Sequence, residues 1–291
     1  MIDNLDNNGR LTPGGKRAAL VVAHPGHELM VHGWLETARP RVFVLTDGSG
    51  RSNQSRLAST TKIINQVSAQ QGAIYGRLTD AEAYAAILKR RFDLFIDFAR
   101  ELSEALVIGR IDFVAGDALE GYNPMHDVCR LVINAAVTIA NRAGGREIEN
   151  FAFSLVNQSG SCPEPSPANE LWVQLDDTAF ARKMSAAQGY AELAGEVFDA
   201  LGKTPINAFR VERLRPVDSD AVANCCDEEQ PFYEQYGEKQ VAAGHYHQVL
   251  RYRDHIAPLA EALGLYVEGQ RTKVERTEER STTIIDSTRP W

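Results

Sequence analysis

Short apolar runs that end in polar turns recur along the first half of the chain. Ala18 to Ala23 reads AALVVA, Val42 to Leu45 reads VFVL, and Ile111 to Ala115 reads IDFVA. A fourth run, FAFSLV, covers Phe151 to Val156. Continuous apolar runs of this length are typical of strands that are buried on both faces of a sheet. The pattern therefore predicts four buried strands.

Between and after these runs, apolar residues recur at spacings of three and four, which predicts helices. Thr79 and Glu82 have the spacing of a capping box at the start of the clearest helix. We expect helices at about His27 to Thr37, Gln54 to Gln71, Thr79 to Leu106, just past His126 to Ile139, Asp177 to Leu201 and Gln248 to Leu263.

Strands that alternate with helices indicate parallel βαβ units and a layered α/β fold. We expect one domain over residues 17–265, a flexible arm over 1–16 and a charged tail over 266–291. The stretch from Ser161 to Asn169 is rich in Ser and Pro and is predicted to be a loop. Ligands of such sheets bind outside the carboxyl ends of the strands, where His24, Asp47 and Asp117 are expected.

Charge and composition exclude several classes of protein. The 291 residues carry a formal net charge of -8, which argues against a nucleic-acid partner because binding the phosphate backbone needs a basic face. The chain has no apolar run of roughly 18 to 20 residues and no signal sequence, so a cytoplasmic protein without a membrane span is expected. Four cysteines without paired spacing predict neither a disulfide framework nor a cysteine zinc site.

Three histidines stand out because two predicted loops bring them to one edge of the sheet. His24 and His27 flank the junction between the first strand and the next helix, and His126 follows the third strand. Three imidazoles with an open fourth position suit a catalytic zinc, with iron or manganese as alternatives. The alternative is that His24 and His27 are a capping and a surface histidine.

These motifs resemble those of the LmbE-like (PIG-L) metal-dependent N-deacetylases. The family's first motif, AHPDDE, corresponds to Ala23-His24-Pro25-Gly26-His27-Glu28, and Gly33 matches a family glycine. Its second motif, HPDH, corresponds to Asn123-Pro124-Met125-His126, and Thr46-Asp47-Gly48 also matches. The resemblance covers about Lys16 to Val156. It implies a Rossmann-like three-layer sandwich with a mostly parallel sheet, and zinc-dependent removal of acyl groups from amino sugars or related amines.

The departures from the family motifs bear on catalysis. The resemblance implies metal ligands at His24, His27 and His126, with His27 replacing an aspartate. The family's general base falls on Gly26, which has no side chain, and its oxyanion-binding histidine falls on Asn123, whose amide can donate a hydrogen bond. Loss of a general base typically slows a reaction by about 10² to 10⁴. If the carboxylate fits, Gly26→Asp is expected to restore or raise deacetylation.

Two effects act against the loss of the base. A third neutral imidazole leaves more positive charge on the metal, which makes bound water more acidic. Glu28 and Asp127 are candidate substitute bases, although Glu28 has a more structural family role and Asp127 has the alternative of orienting a ligand. Each stays an open alternative.

Several further residues are candidates for binding the substrate. Asp47 has two interpretations. It either supports a histidine or a substrate hydroxyl, or it forms a hydrogen bond to its own backbone as a turn aspartate. Arg51 and Arg56 either bind an anionic group or form a solvated charged face. Tyr122 offers a hydroxyl, although the family's tyrosine falls one position earlier, on Gly121.

Outside these motifs, the polar residues have simpler interpretations. Asp117 either faces the cleft or caps a helix or loop. His245 and His247 are surface residues or contact substrate or metal. His32 and His255 are predicted to be structural, and Cys225 and Cys226 to be two unbridged thiols.

The leading hypothesis is a zinc-dependent hydrolase of the N-deacetylase type. It would act on an N-acylated sugar, a glycoconjugate or a small amine, with Asn123 holding the oxyanion. The alternatives are a metal-binding protein of the same fold that has lost hydrolysis and acts as a binding or scaffold protein, and a metalloenzyme with different chemistry. The oligomeric state stays open.

Overall fold

The computed structural model describes residues 16–156, 170–217 and 230–270. The predicted loop from Ser161 to Asn169, the arm up to residue 15 and the tail from 271 lie outside these ranges, as do Cys162, Cys225 and Cys226. No helix in the described ranges has the length and apolar character needed to span a bilayer.

The described residues contain seven strands in one sheet, in the order β3-β2-β1-β4-β5-β7-β6. The strands are β1 Ala18–Val22, β2 Arg41–Thr46, β3 Gln70–Leu78, β4 Phe113–Asp117, β5 Glu149–Phe153, β6 Leu171–Gln174 and β7 Val211–Pro216. The first five in this order pair in parallel, and β7 pairs antiparallel with both β5 and β6. The predicted α/β Rossmann-like sandwich with a mostly parallel sheet is confirmed.

Helices connect the strands and cover both faces of the sheet. They are α1 His32–Ala38, α2 Leu57–Gln66, α3 Asp80–Leu88, α4 Phe92–Ile108, α5 Pro124–Gly144, α6 Asp177–Gln188, α7 Ala194–Lys203, α8 Phe232–Ala242 and α9 at 257–270. A 3-10 turn, His27–Val31, precedes α1, and a π turn, Tyr252–Ile256, precedes α9.

Alternate residues of β1 belong to two separate cores. Ala19 and Val21 pack into the core beneath α4, α5 and α9, whereas Leu20 and Val22 pack into the core that includes α1 and α2. Side chains of a strand point alternately to opposite faces, so a strand covered on both faces needs apolar residues at every position. This is why the first strand reads as an unbroken apolar run.

Two predicted helices differ from those observed. The helix predicted over Gln54 to Gln71 ends at Gln66, and the edge strand β3 follows it. An edge strand has one exposed side, so its polar sequence QQGAIYGRL gave no apolar run. The helix predicted from Thr79 begins with the expected capping box but divides into α3 and α4, where Arg90 adopts a left-handed conformation with φ of 54°.

The second half of the chain was predicted less completely. Strands β6 and β7 and helix α8 were not predicted, and the helix predicted over Asp177 to Leu201 divides into α6, a 3-10 turn and α7. Strand β7 reads VERLRP, with three charged residues. Its apolar periodicity is weak because buried Glu212 is neutralised by partners from distant elements.

Candidate functional site

The predicted edge of the sheet carries a cluster of three histidines at the point where the strand order reverses. The chain runs from β1 outward to β2 and β3, and then returns to β4 on the other side of β1. His24 follows β1, and Asp117 is the last residue of β4. Open α/β sheets form their ligand crevice at this reversal. His126 reaches it from the first turn of α5.

The rings of His24, His27 and His126 are in mutual edge-on contact. Their centroids are 5.3 Å apart for His24 and His27, 5.3 Å for His24 and His126, and 4.6 Å for His27 and His126. Three imidazoles on one tetrahedral zinc, with Zn–N bonds of about 2.0 Å, place ring centroids about 5 Å apart. The observed spacing agrees with this value.

Thr46 and Asp80 fix the orientation of His24. Its Nδ1 lies 2.8 Å from Thr46 Oγ1 and 3.0 Å from Asp80 Oδ1. A carboxylate only accepts hydrogen bonds, so Nδ1 carries the hydrogen, and in the neutral ring the lone pair lies on Nε2. Burial opposes ionisation of Asp80, but hydrogen bonds from His24 and Thr46 outweigh it and hold the pKa of Asp80 well below its usual range.

Asp117 holds His27 in the same way. His27 Nδ1 donates to Asp117 Oδ1 at 2.9 Å and Oδ2 at 3.0 Å, and Asp117 also accepts from the Ala23 backbone N–H at 2.8 Å. Asp117 is completely buried. Arg130, one turn beyond His126 on α5, donates to the Asp117 carbonyl at 2.6 Å and to the Phe151 carbonyl at 3.0 Å.

Two nitrogens of the three-histidine cluster are buried without a hydrogen-bond partner. They are His24 Nε2 and His126 Nδ1. Burial, and then the nearby charges of His27 and His24, lower the pKa of His126 well below its usual value, so this ring stays neutral and retains a lone pair. Buried nitrogens normally find partners, and an imidazole lone pair is a donor that a divalent metal uses.

The ligand set is not complete in this arrangement. In the described ranges, no three or more His, Cys, Asp or Glu side chains are grouped so as to hold a metal ion. The ring spacing and the two unpaired nitrogens favour a metal centre, whereas the lack of such a group of ligand side chains in the described ranges argues against one. The spacing carries more weight, because imidazole rings rotate about single bonds more readily than their backbones move.

Gly26, the position of the family's general base, has no room for a side chain. Its backbone has φ of 107°, a conformation that favours glycine, and its N–H donates to Glu28 Oε2 at 2.7 Å. A Cβ atom at this position would collide with Leu193 Cδ1 and lie 3.7 Å from Tyr190 Cζ. An aspartate at this position therefore requires the Leu193 side chain to shift and strains the left-handed backbone, which opposes the restoration expected of Gly26→Asp.

Glu28 and Asp127 each use one carboxylate oxygen to accept backbone N–H groups. Glu28 is fully buried and accepts from Thr60 Oγ1 at 2.7 Å, and burial raises its pKa. Asp127 Oδ1 accepts from the backbone N–H groups of Glu120 and Gly121, both at 3.1 Å, and burial raises the pKa of Asp127 to about 7. Neither carboxylate bonds to a ring of the cluster.

Asn123 caps helix α5 with its amide oxygen, which leaves its amide nitrogen, Nδ2, as the group that can donate a hydrogen bond. Its Oδ1 accepts from the Met125 backbone N–H at 2.8 Å and from the Tyr84 hydroxyl at 3.0 Å. The predicted oxyanion role would therefore rest on Nδ2. Burial, and then the charge of Asp80, raises the pKa of Tyr84, so this hydroxyl remains a donor.

The predicted substrate residues are placed as follows. Asp47 Oδ1 accepts from the Ser49 backbone N–H at 2.9 Å, which is the turn interpretation and not contact with a histidine. Arg51 lies in the 3-10 turn Gly50–Ser52, and its side chain lies outside the part of the chain that the structure describes. Arg56 pairs with Glu196 at 3.3 Å. Tyr122 is exposed and stacks on Phe232.

The remaining histidines and the described cysteine lie outside the cluster. His245 and His247 are exposed, whereas His32 and His255 are buried on helical turns, as structural residues would be. Cys129 is a buried free thiol. A cavity of about 360 Å³ lies at the opposite, amino-terminal end of β4 and β5, where its lining is Val107, Arg110, Ala140, Gly144, Arg146 and Ile148.

Sequence reasoning missed Asp80, Thr46 as a partner of His24, and Arg130. Asp80 follows β3, and because that strand was not predicted, its carboxyl end was not assigned to the sheet edge that carries the histidines. The TDG motif drew attention to Asp47, although the hydroxyl of the preceding Thr46 bonds the ring. A capping Thr79 followed by an aspartate was the available signal for Asp80.

Comparison with protein-family models and with curated proteins finds no match. Among solved structures, a deacetylase in the biosynthesis pathway of teicoplanin, in complex with bog, is 15% identical with a TM-score of 0.50, covering 71% of this chain and 100% of that one. The zinc-inhibited form of teicoplanin deacetylase Orf2 is 12% identical with a TM-score of 0.48, again covering 71% and 100%.

The conserved protein TT1542 from Thermus thermophilus is 15% identical with a TM-score of 0.45, covering 71% of this chain and 95% of that one. At such identities the likeness concerns the fold. The resemblance to the LmbE-like deacetylases that the motifs predicted is confirmed at that level.

Proposed function

We propose that this protein is a metal-dependent amide hydrolase of the N-deacetylase type, acting on an N-acylated amino sugar or related amine. The observation that carries the proposal is the contact of three imidazoles at the sheet reversal, with His24 Nε2 and His126 Nδ1 unpaired. The fold shared with a deacetylase of teicoplanin biosynthesis supports the reaction class.

His24, His27 and His126 would hold the metal, zinc in the first instance and iron or manganese as alternatives. Such a cation supplies Lewis-acid chemistry, which polarises an amide carbonyl and makes water more acidic. Asp80 and Asp117 keep the hydrogen of His24 and His27 on Nδ1, so that the lone pair of each neutral ring lies on Nε2. Asn123 Nδ2 is the proposed donor to the developing oxyanion.

A second function is favoured by one observation. Leu193 and Tyr190 fill the space beside Gly26, and Glu28 and Asp127 are held by backbone N–H groups. A protein that keeps the fold and the metal but no longer hydrolyses amides would have this arrangement. It would then serve as a binding or scaffold protein.

Metal content tests the centre itself. The purified chain is incubated with zinc, dialysed and analysed by mass spectrometry, with about one zinc per chain expected. His27→Ala should lose the metal, and His245→Ala, which removes an exposed histidine, should retain it. A parent chain without bound metal, or equal loss in both variants, would contradict a metal centre at this cluster.

Amine release separates the two functions. The zinc-loaded chain is incubated with a panel of N-acetyl hexosamines, and free amine is measured over time. Release that is lost in His27→Ala supports the hydrolase. Full zinc loading without release from any member of the panel contradicts hydrolysis of that class and favours the binding protein.

A further inference from the structure

A buried carboxyl group is bonded to the turn between His24 and His27. Glu28 Oε2 accepts the Gly26 backbone N–H at 2.7 Å, and Glu28 Oε1 accepts the Thr60 hydroxyl at 2.7 Å. Neither Glu28 nor Thr60 has any exposed surface. The carboxyl group therefore joins the backbone between two proposed metal ligands to a side chain of α2.

The Tyr190 hydroxyl extends this connection to the second half of the chain. It lies 2.8 Å from Thr60 Oγ1 and donates to the Arg56 carbonyl at 3.1 Å. Tyr190 is buried, and its Cζ would lie 3.7 Å from a Cβ atom at Gly26. It follows α6, outside the region that resembles the deacetylase motifs. A residue far along the chain thus contacts the histidine turn both by packing and through Thr60.

Gly26 makes the turn dependent on these contacts. Glycine adopts positive and negative φ with similar ease, so its own stereochemistry does not fix the φ of 107° at this position. The hydrogen bond to Glu28 and the side chains packed against Gly26 select this conformation. His24 and His27 lie on either side of the glycine, so its conformation helps to set the distance between their rings.

We propose that Thr60 and Tyr190 are positioning residues of the metal centre, acting through Glu28 on the turn between His24 and His27. A buried acceptor without a donor is costly. Removal of the Thr60 hydroxyl would therefore turn the carboxyl group toward another donor and displace the backbone N–H that it accepts. This inference rests on the proposed function, because it assumes a cation held by the three histidines.

The test measures the zinc affinity of the full chain by competition with a chelating dye, in buffer where urea denaturation shows each variant to be folded. Thr60→Val keeps the size and branching of the side chain but removes the hydroxyl. It should weaken zinc binding about 10-fold, the lower end for residues that orient metal ligands. Thr60→Ser keeps the hydroxyl and should retain the parent affinity. Lower stability alone does not change the affinity of a folded chain, so the affinity separates positioning from a purely structural role.

Thr61 supplies the matched control. It is the next residue on α2, and its hydroxyl lies 3.0 Å from the Tyr75 hydroxyl, so it has the same kind of partner in another place. Thr61→Val should keep the parent affinity. Tyr190→Phe removes only the hydroxyl that bonds Thr60 and should also weaken zinc binding, whereas Tyr75→Phe should not. This second pair decides the outcome if Thr60→Val does not fold.

Unchanged zinc affinity in folded Thr60→Val or in Tyr190→Phe, equal weakening in Thr61→Val, or weakened binding in Thr60→Ser would overturn the inference. A parent chain that binds no zinc contradicts the proposed metal centre and this inference together. Amine release is not part of the measurement, so a chain that binds zinc but hydrolyses no amide contradicts only the proposed hydrolase.

Discussion

At the scale of single residues, Gly26 is the position where this chain departs most from the motif it resembles. Its left-handed backbone and the packing of Leu193 and Tyr190 form one arrangement, in which the side-chain space of a general base is occupied by apolar atoms. Glu28 stabilises that turn by accepting the Gly26 N–H. The local conformation therefore requires a glycine at this position, and the same glycine leaves the site without the family's general base.

We predict that Gly26→Asp destabilises the protein by about 2 to 6 kcal/mol and gives no gain in amine release, because backbone strain and overpacking each cost about 1 to 3 kcal/mol. Urea denaturation measures the loss. Gly195→Asp is the control, since Gly195 has open space around it in the first turn of α7 and should tolerate aspartate. Unchanged stability with increased amine release would mean that Leu193 moves aside.

At the scale of secondary structure elements, Arg130 joins α5 to the carboxyl end of β4 and to the middle of β5. It donates to the carbonyls of Asp117 on β4 and Phe151 on β5, and to Asn150 Oδ1 at 2.9 Å. His126 lies one turn earlier on the same helix, and Asp117 orients His27. Arg130 therefore fixes the position of one histidine relative to the partner of another.

Arg130→Lys should weaken zinc binding by about 10-fold, because a lysine cannot reproduce the fork of hydrogen bonds that holds this spacing, and changes in residues that orient ligands typically cost 10- to 100-fold. Competition with a chelating dye measures the affinity. Arg142→Lys, a more exposed substitution on the same helix, is the matched control. A stability loss with unchanged zinc affinity would assign Arg130 to the fold alone.

At the scale of the whole molecule, the cluster connects distant parts of the sheet. His24 and His27 precede α1, Asp80 begins α3, and His126 and Asp117 come from the other side of the strand reversal. A cation bound to these side chains stabilises only the folded chain, because the unfolded chain does not hold them together.

Zinc should therefore raise the melting temperature. At 100 times the dissociation constant, the expected stabilisation is about 2.7 kcal/mol. Differential scanning calorimetry with zinc and with a chelator measures it, and the His27→Ala variant should show little or no shift. A shift of the same size in His27→Ala would place the stabilising metal elsewhere.

Local patterns in the sequence predicted four of the five parallel strands, the capping box at Thr79 and the two histidine motifs. These features depend on neighbouring residues, whose periodicity reports burial and whose spacing reports a turn or helix end. The partners of the histidines were beyond such reasoning, because His27 and Asp117 are 90 positions apart and His24 and Asp80 are 56 apart. Strand order and side-chain packing bring these pairs together, and the same packing fills the space beside Gly26, because contacts between distant segments exist only once the chain has folded.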